Sequence, residues 1–205
     1  MAVSIGPGGG LPPLVLASGS PRRQQLLAAA GLRFTVAPAD VDETPPPGVA
    51  PMDLARALAR RKAVHVAAGY PEAVVLGADT VVDLDGLLLG KPADAAEAIA
   101  MLRRLQGRSH AVHTGIALAW NSGAEVRSQV VSATVTMRAI SRGAIIAYVA
   151  TGEPLDKAGA YALQGLAGAW ISSVEGSRTA VVGLPMDETL ALLARVGIHP
   201  QPTLP

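Results

Sequence analysis

The stretch from Val74 to Val82 constrains this chain more than any other. It reads VVLGADTVV, a valine-rich apolar run whose only ionisable member is Asp79. Runs of this kind favour a strand buried on both faces. An isolated ionised carboxylate inside such a strand is costly, so Asp79 needs a metal ion, a cationic partner or an opening to a cleft. The plainer alternative is an aspartate at a strand end, hydrogen-bonded to backbone amides. Asp83-Leu84-Asp85-Gly86 then reads as a turn and Leu87 to Leu89 as the returning strand. Gly90-Lys91-Pro92 follows, so the hairpin can bring the Lys91 ammonium back beside Asp79.

The remaining segments supply layers for that strand. Leu14 to Ala17 reads as a short strand, Ser18-Gly19-Ser20 as a tight loop, and Pro21 onward as a helix with Leu26, Leu27 and Ala30 on one face. Ser20 suits the N-cap, Pro21 the first helical position and Gly31 the stop. Phe34 to Ala37 is a second short strand, and the proline-rich segment from Asp40 to Pro51 is a loop. Met52 to Ala68 has helical periodicity, with Leu54, Ala57, Leu58 and Val64 expected inward. A helix from Asp94 to Gln106, strands at Ala111 to Ala119 and Gln129 to Met137, and a helix near Arg142 to Val149 follow. After a glycine-punctuated loop from Gly152 to Gly168, short strands are expected near Ala169 and Val181, then a helix from Asp187 to Val196. Strands and helices intersperse without a clean βαβ repeat, which predicts an α/β fold with a mixed, twisted sheet and flanking helices.

With 205 residues, half of them hydrophobic, the chain can bury a sizeable core. Its net charge of +1 gives no field to hold nucleic acid or an anionic membrane, and two Trp, three Tyr and one Phe offer few platforms for stacking bases. The absence of cysteine excludes disulfides and thiolate metal sites, and fits the reducing cytoplasm. MAVSIGPGGGLPP has neither the charged nor the apolar region of a signal peptide, and no apolar run is long enough to span a bilayer. We expect residues 1–13 to be a flexible extension, 14–198 a single folded domain and 199–205 a frayed tail.

Any anionic ligand must then be gripped locally. In Ser18-Gly19-Ser20-Pro21-Arg22-Arg23, two arginines enter the first turn of a helix, against the helix dipole. A bound phosphate would remove that conflict; solvated arginines on an ordinary capped helix are the alternative. No Walker A or dinucleotide fingerprint occurs. Only three lysines exist, Lys62, Lys91 and Lys157, and each is a candidate phosphate contact in a chain whose usual cation is arginine. Asp42-Glu43-Thr44 adds carboxylates that, with Asp79, could hold Mg²⁺ through oxygen. The four histidines form no ligand pattern and are read as structural or solvated.

Taken in order, LASGSPRRQQLL, VDET, LARRKA, LGADTVV, GKP, GEPLDKAGAYALQG and VVGLP resemble the Maf family of nucleotide pyrophosphatases over nearly the whole chain. The resemblance implies an elongated α/β fold like that of the inosine triphosphate pyrophosphatases, with two lobes around a cleft, commonly as a homodimer. It implies hydrolysis of a nucleoside triphosphate to the monophosphate and pyrophosphate with Mg²⁺ or Mn²⁺, a role in cleansing the nucleotide pool. Asp79 matches the family's general base, with mainly metal ligation as its other role. Ser18, Arg23, Lys62, Lys91 and Lys157 are expected on phosphate, and Glu43 beside Asp79 on metal.

Within the family, Arg22, Thr80 and Gln164 are the trio to which the resemblance assigns substrate choice, and they match the branch acting on dTTP and UTP. Other readings within the family are 7-methyl-GTP or a modified nucleotide as substrate, or nucleotide binding that regulates septum formation. Ser177-Arg178-Thr179-Ala180 departs from relatives, which often carry Tyr and Asn there.

Overall fold

The computed structural model describes residues 12–201. Most of the expected N-terminal extension, and the tail from 202, lie outside the described residues. The strands are β1 (Leu14–Leu16), β2 (Thr35–Val36), β3 (Val74–Leu84), β4 (Leu87–Leu89), β5 (Ser109–Trp120), β6 (Glu125–Met137) and β7 (Ile171–Gly176). The helices are α1 (Pro21–Ala29), α2 (Pro51–Ala67), α3 (Ala95–Leu105), α4 (Arg142–Ala150), α5 (Arg178–Val182) and α6 (Met186–Ala194).

All seven strands form one mixed sheet in the order β2-β1-β3-β5-β6-β7, with β4 paired to β3. β5 occupies one edge of β3 from Val75 to Asp83. β1 and β4 must therefore share the other edge, β1 reaching Leu76 and β4 starting at Val82. Between them, Gly77 to Val81 has no strand partner on that side among the described residues. Five residues of strand leave a window of roughly 17 Å in the sheet.

Side chains alternate across β3. Val75, Gly77, Asp79 and Val81 face α2, whose buried stripe is Leu54, Ala55, Leu58, Ala59, Lys62, Ala63 and Val66. The helix lies very close to the sheet. A Cβ on Gly77 would stand 2.3 Å from the Ala59 carbonyl oxygen, and one on Gly115 2.2 Å from that of Ala55. Two glycines on the sheet and alanines on the helix are thus what let α2 seat here. This stripe corrects the expected one: Ala57 and Val64 face outward, because the true contact surface is made of alanines that carry little hydrophobic signal.

The opposite face holds two separate cores. One gathers Leu14, Leu16, Leu76, Ile116 and Trp120 against α1 and α6; the other gathers Val82, Val112 and Val135 against α3 and α4. The cleft opens beside the second core, lined by its Val82, Leu89, Val112 and Tyr161, and reaches the loop that follows β1. Val181, expected in a strand, sits in α5 instead: Ser177 accepts from the Ala180 N–H at 3.2 Å, and Gly183 at φ 122° ends the turn. Ile198 is buried at the end of the domain, and three residues on the Gln201 N–H donates to the Gly31 carbonyl at 3.0 Å. Among the described residues no helix is long and apolar enough to cross a membrane.

Candidate active site

Asp79 faces α2 at the window, where the sheet leaves it a route to solvent. Its Oδ1 accepts from the Lys62 ammonium at 2.6 Å, and the same ammonium pairs with Glu43 Oε1 at 2.6 Å. Both Asp79 and Lys62 are buried, at 7% and 8% exposure, whereas the Glu43 side chain is nearly half exposed. The hydrophobic stripe of α2 carries Lys62 down into the sheet, so the direct partner of Asp79 comes from the helix and not from the hairpin. Lys91 lines the same cleft, and its charge acts on Glu43.

The two carboxyls on Lys62 are pushed in opposite directions. Burial raises the pKa of Asp79 above its usual value, against the pull of Lys62 and Arg23. Burial also acts upward on Glu43, but there the hydrogen bond and charge of Lys62 prevail, helped by Lys91, and its pKa is lowered. One ammonium thus holds a proton-accepting carboxylate and a firmly ionised one.

Beside the Ser18 loop, Arg23 is half-buried and laced to the protein. Its Nε donates to the Gly183 carbonyl at 2.8 Å, Nη1 to Ser18 Oγ at 2.9 Å and Nη2 to Thr80 Oγ1 at 3.3 Å. Thr80 and Thr114 hydroxyls lie 2.9 Å apart, and Thr114 donates to the Ala180 carbonyl at 2.8 Å. Since Thr114 has one proton and spends it on Ala180, Thr80 must donate to Thr114. The chain Arg23 to Thr80 to Thr114 to Ala180 therefore runs in one direction. Thr114 was not singled out from sequence; its register opposite Thr80 on β5 is what reveals it.

The cleft has a volume of about 700 Å³, within the usual range for small-molecule sites. Ser18, Arg22, Arg23, Glu43, Lys62, Asp79, Thr80, Lys91, Lys157 and Gln164 all line it. These ten residues, all expected at the site from sequence, are thus brought together. Asp42 is not: its Oδ1 caps the Thr44 N–H at 2.9 Å. Lys157 donates to Asp156 Oδ1 at 2.6 Å and to the Glu153 carbonyl. The histidines stay apart from the cleft lining. His110 bonds Tyr161 Oη at 2.7 Å and His113 bonds Ser132 Oγ at 2.7 Å.

A family model described as Maf-like protein matches residues 13–196. The chain belongs to the Maf family. Among curated relatives, the dTTP/UTP pyrophosphatase of Myxococcus xanthus (strain DK1622) is 56% identical over 185 residues, 90% of this chain and 93% of the relative. That of Pelotomaculum thermopropionicum is 48% identical over 186 residues, 91% and 97% respectively. Among solved structures, a HAM1 protein from Coxiella burnetii covers 62% of this chain and 73% of its own at 22% identity and a TM-score of 0.39. The Maf cleft therefore combines a buried carboxylate–ammonium pair, a polar chain through Thr80 and a rim of cations.

Proposed function

We propose that this Maf protein hydrolyses dTTP and UTP to the nucleoside monophosphate and pyrophosphate, with Asp79 as the base. The observation that carries the reading is the Lys62–Asp79 pair at 2.6 Å, buried at the bottom of a cleft rimmed by Arg22, Lys91 and Lys157. Relatives named dTTP/UTP pyrophosphatase, about half identical along nearly their whole length, support the substrate class. In this reading water attacks the α-phosphorus, the bond to the bridging oxygen breaks, and pyrophosphate leaves. Asp79 takes the proton from water, which its raised pKa favours. Lys62, Lys91 and Lys157 offset the charge that builds on the leaving group.

A divalent cation fits the chemistry of the donors. Asp79 and Glu43 line the same cleft and each spends one carboxylate oxygen on Lys62, which leaves Asp79 Oδ2 and Glu43 Oε2 as oxygen donors for the ion. Among the described residues no group of three or more His, Cys, Asp or Glu side chains converges. Mg²⁺ or Mn²⁺ held by one or two carboxylates would complete its shell with water and substrate phosphate, the usual habit of Mg²⁺. When bound, such an ion supplies Lewis-acid stabilisation of phosphoryl charge.

Gln164 can both donate and accept, as the edge of uracil or thymine requires. The same reading places the protein in the cytoplasm as a homodimer. The test is a panel of nucleoside triphosphates with product identification. Pyrophosphate from dTTP and UTP is expected; equal turnover of purines, or preference for 7-methyl-GTP, would overturn the substrate assignment. Nucleotide binding without turnover would leave a regulatory protein.

A further inference from the structure

Glu153 lies outside the cleft lining, yet the segment bearing Lys157 and Gln164 closes on it. Its Oε1 accepts from the Leu166 N–H at 3.1 Å and from the Tyr148 hydroxyl at 3.1 Å, while Oε2 lies 3.3 Å from the same N–H. The Glu153 carbonyl takes the Lys157 ammonium. One residue thereby holds both ends of the stretch from Lys157 to Leu166. At the middle, the Gly159 N–H donates to the Gly90 carbonyl at 3.0 Å, fixing the segment beside Lys91. Tyr148 is itself set on α4, its ring 5.0 Å from Trp170 in an edge-to-face contact.

Gly165 gives an independent sign that the carboxylate is seated tightly. A Cβ there would fall 1.9 Å from Glu153 Oε1, so no larger residue fits while Glu153 stays in place. Gly165 has φ −130° and ψ −166°, an extended conformation open to any residue, so its role is to make room and not to turn the chain. Leu166, 62% exposed, contributes little packing of its own. Ala160 and Tyr161 anchor the first half of the segment in the core beside α3 and α4, so it is the half from Leu163 to Leu166, partly or fully exposed, that relies on the hydrogen bonds to Glu153 to hold Gln164 at the cleft.

We propose that Glu153 is a positioning residue for substrate choice: it clamps the segment from Lys157 to Leu166 so that Gln164 meets the base at a fixed distance. This rests on the pyrimidine pyrophosphatase reading above. Glu153 touches neither Asp79 nor Lys62, so its loss should act on base binding before chemistry.

The experiment compares Glu153→Ala, Glu153→Gln and Gly165→Ala with the unaltered protein, using dTTP, UTP and dGTP. Glu153→Ala is expected to raise KM for dTTP by about tenfold, the worth of one charge-assisted hydrogen bond, with a smaller change in kcat and a narrowed preference over dGTP. Glu153→Gln, which keeps an acceptor for Leu166, should recover most of the loss. Gly165→Ala, which displaces the carboxylate from the other side, should copy Glu153→Ala. Amide hydrogen exchange at 157–166 should quicken in both alanine variants. Unchanged KM, preference and exchange in Gly165→Ala would overturn the clamp, even if Glu153→Ala failed to fold. If the unaltered protein does not turn over dTTP or UTP, the functional reading fails, and the exchange comparison still decides whether Glu153 holds the segment.

Discussion

The bottom of the cleft stands on β3 and α2, where Asp79 and Lys62 are fixed by a sheet and a helix so close that two glycines are needed between them. Another part of the lining is a run of turns from Glu153 to Trp170, in which Gln164, the residue proposed to meet the base, is exposed and lies two residues before Leu166, whose N–H donates to Glu153. The groups proposed to react are thus placed by close backbone packing, whereas the stretch from Leu163 to Leu166 that carries the residue proposed to recognise the base leans on polar contacts that a single side chain can alter. A scaffold so divided can change what it accepts without disturbing how it reacts.

The comparison breaks first at Asp79. Asp79→Asn keeps the shape and removes the proposed base, so kcat for dTTP should fall by about 10²- to 10⁴-fold, with circular dichroism and melting showing an intact fold. A residual rate near that of the unaltered protein would move the base elsewhere.

Next in size, Gly115→Ala should cost about 3 kcal/mol in urea unfolding, the upper end for overpacking, because its Cβ meets the fixed Ala55 backbone at 2.2 Å. Gly165→Ala should cost less, about 1.5 kcal/mol, since it displaces a side-chain carboxylate and its hydrogen bonds but meets no backbone. Equal losses at the two glycines would erase the distinction between the regions.

Gln164→Ala should reduce the preference for dTTP over dGTP by about tenfold while leaving kcat for dTTP nearly unchanged. A fall in kcat alone would assign Gln164 to the chemistry and not to the base.

The smallest effect concerns His110, which joins β5 to the recognition wall through Tyr161. Burial lowers its pKa from 6.5 to about 4, so the folded protein holds it neutral. As pH falls below 6.5 the unfolded chain binds a proton that the folded one refuses, and stability is lost until about pH 4. One unit below 6.5 the loss is about 1 kcal/mol, read from denaturant midpoints across pH. His110→Gln should flatten that slope; an unchanged slope would place the acid sensitivity elsewhere.

How much of this could be read from the chain follows the same division. The apolar run around Asp79 announced both a strand and a charge in need of a partner, and the three lysines marked the cleft. The partner itself was hidden, because α2 docks through alanines and a lysine while Val64, the more hydrophobic residue, faces out. Thr114 became visible only once β5 was set in register with β3. The segment around Val181 favours a strand by composition, yet Ser177 and Gly183 cap it as a helix, a local hydrogen-bond choice that propensity does not weigh.

The window in β3 has a bearing on self-association. Unpaired backbone along a valine-rich strand normally invites another chain to add itself as a strand. Here β1 and β4 stand as shoulders at either end, so a strand added from another chain could pair along no more than the five residues between them and would have to turn away at both ends. The same stretch of backbone that opens the molecule to a small ligand thereby offers its own kind only a short hold.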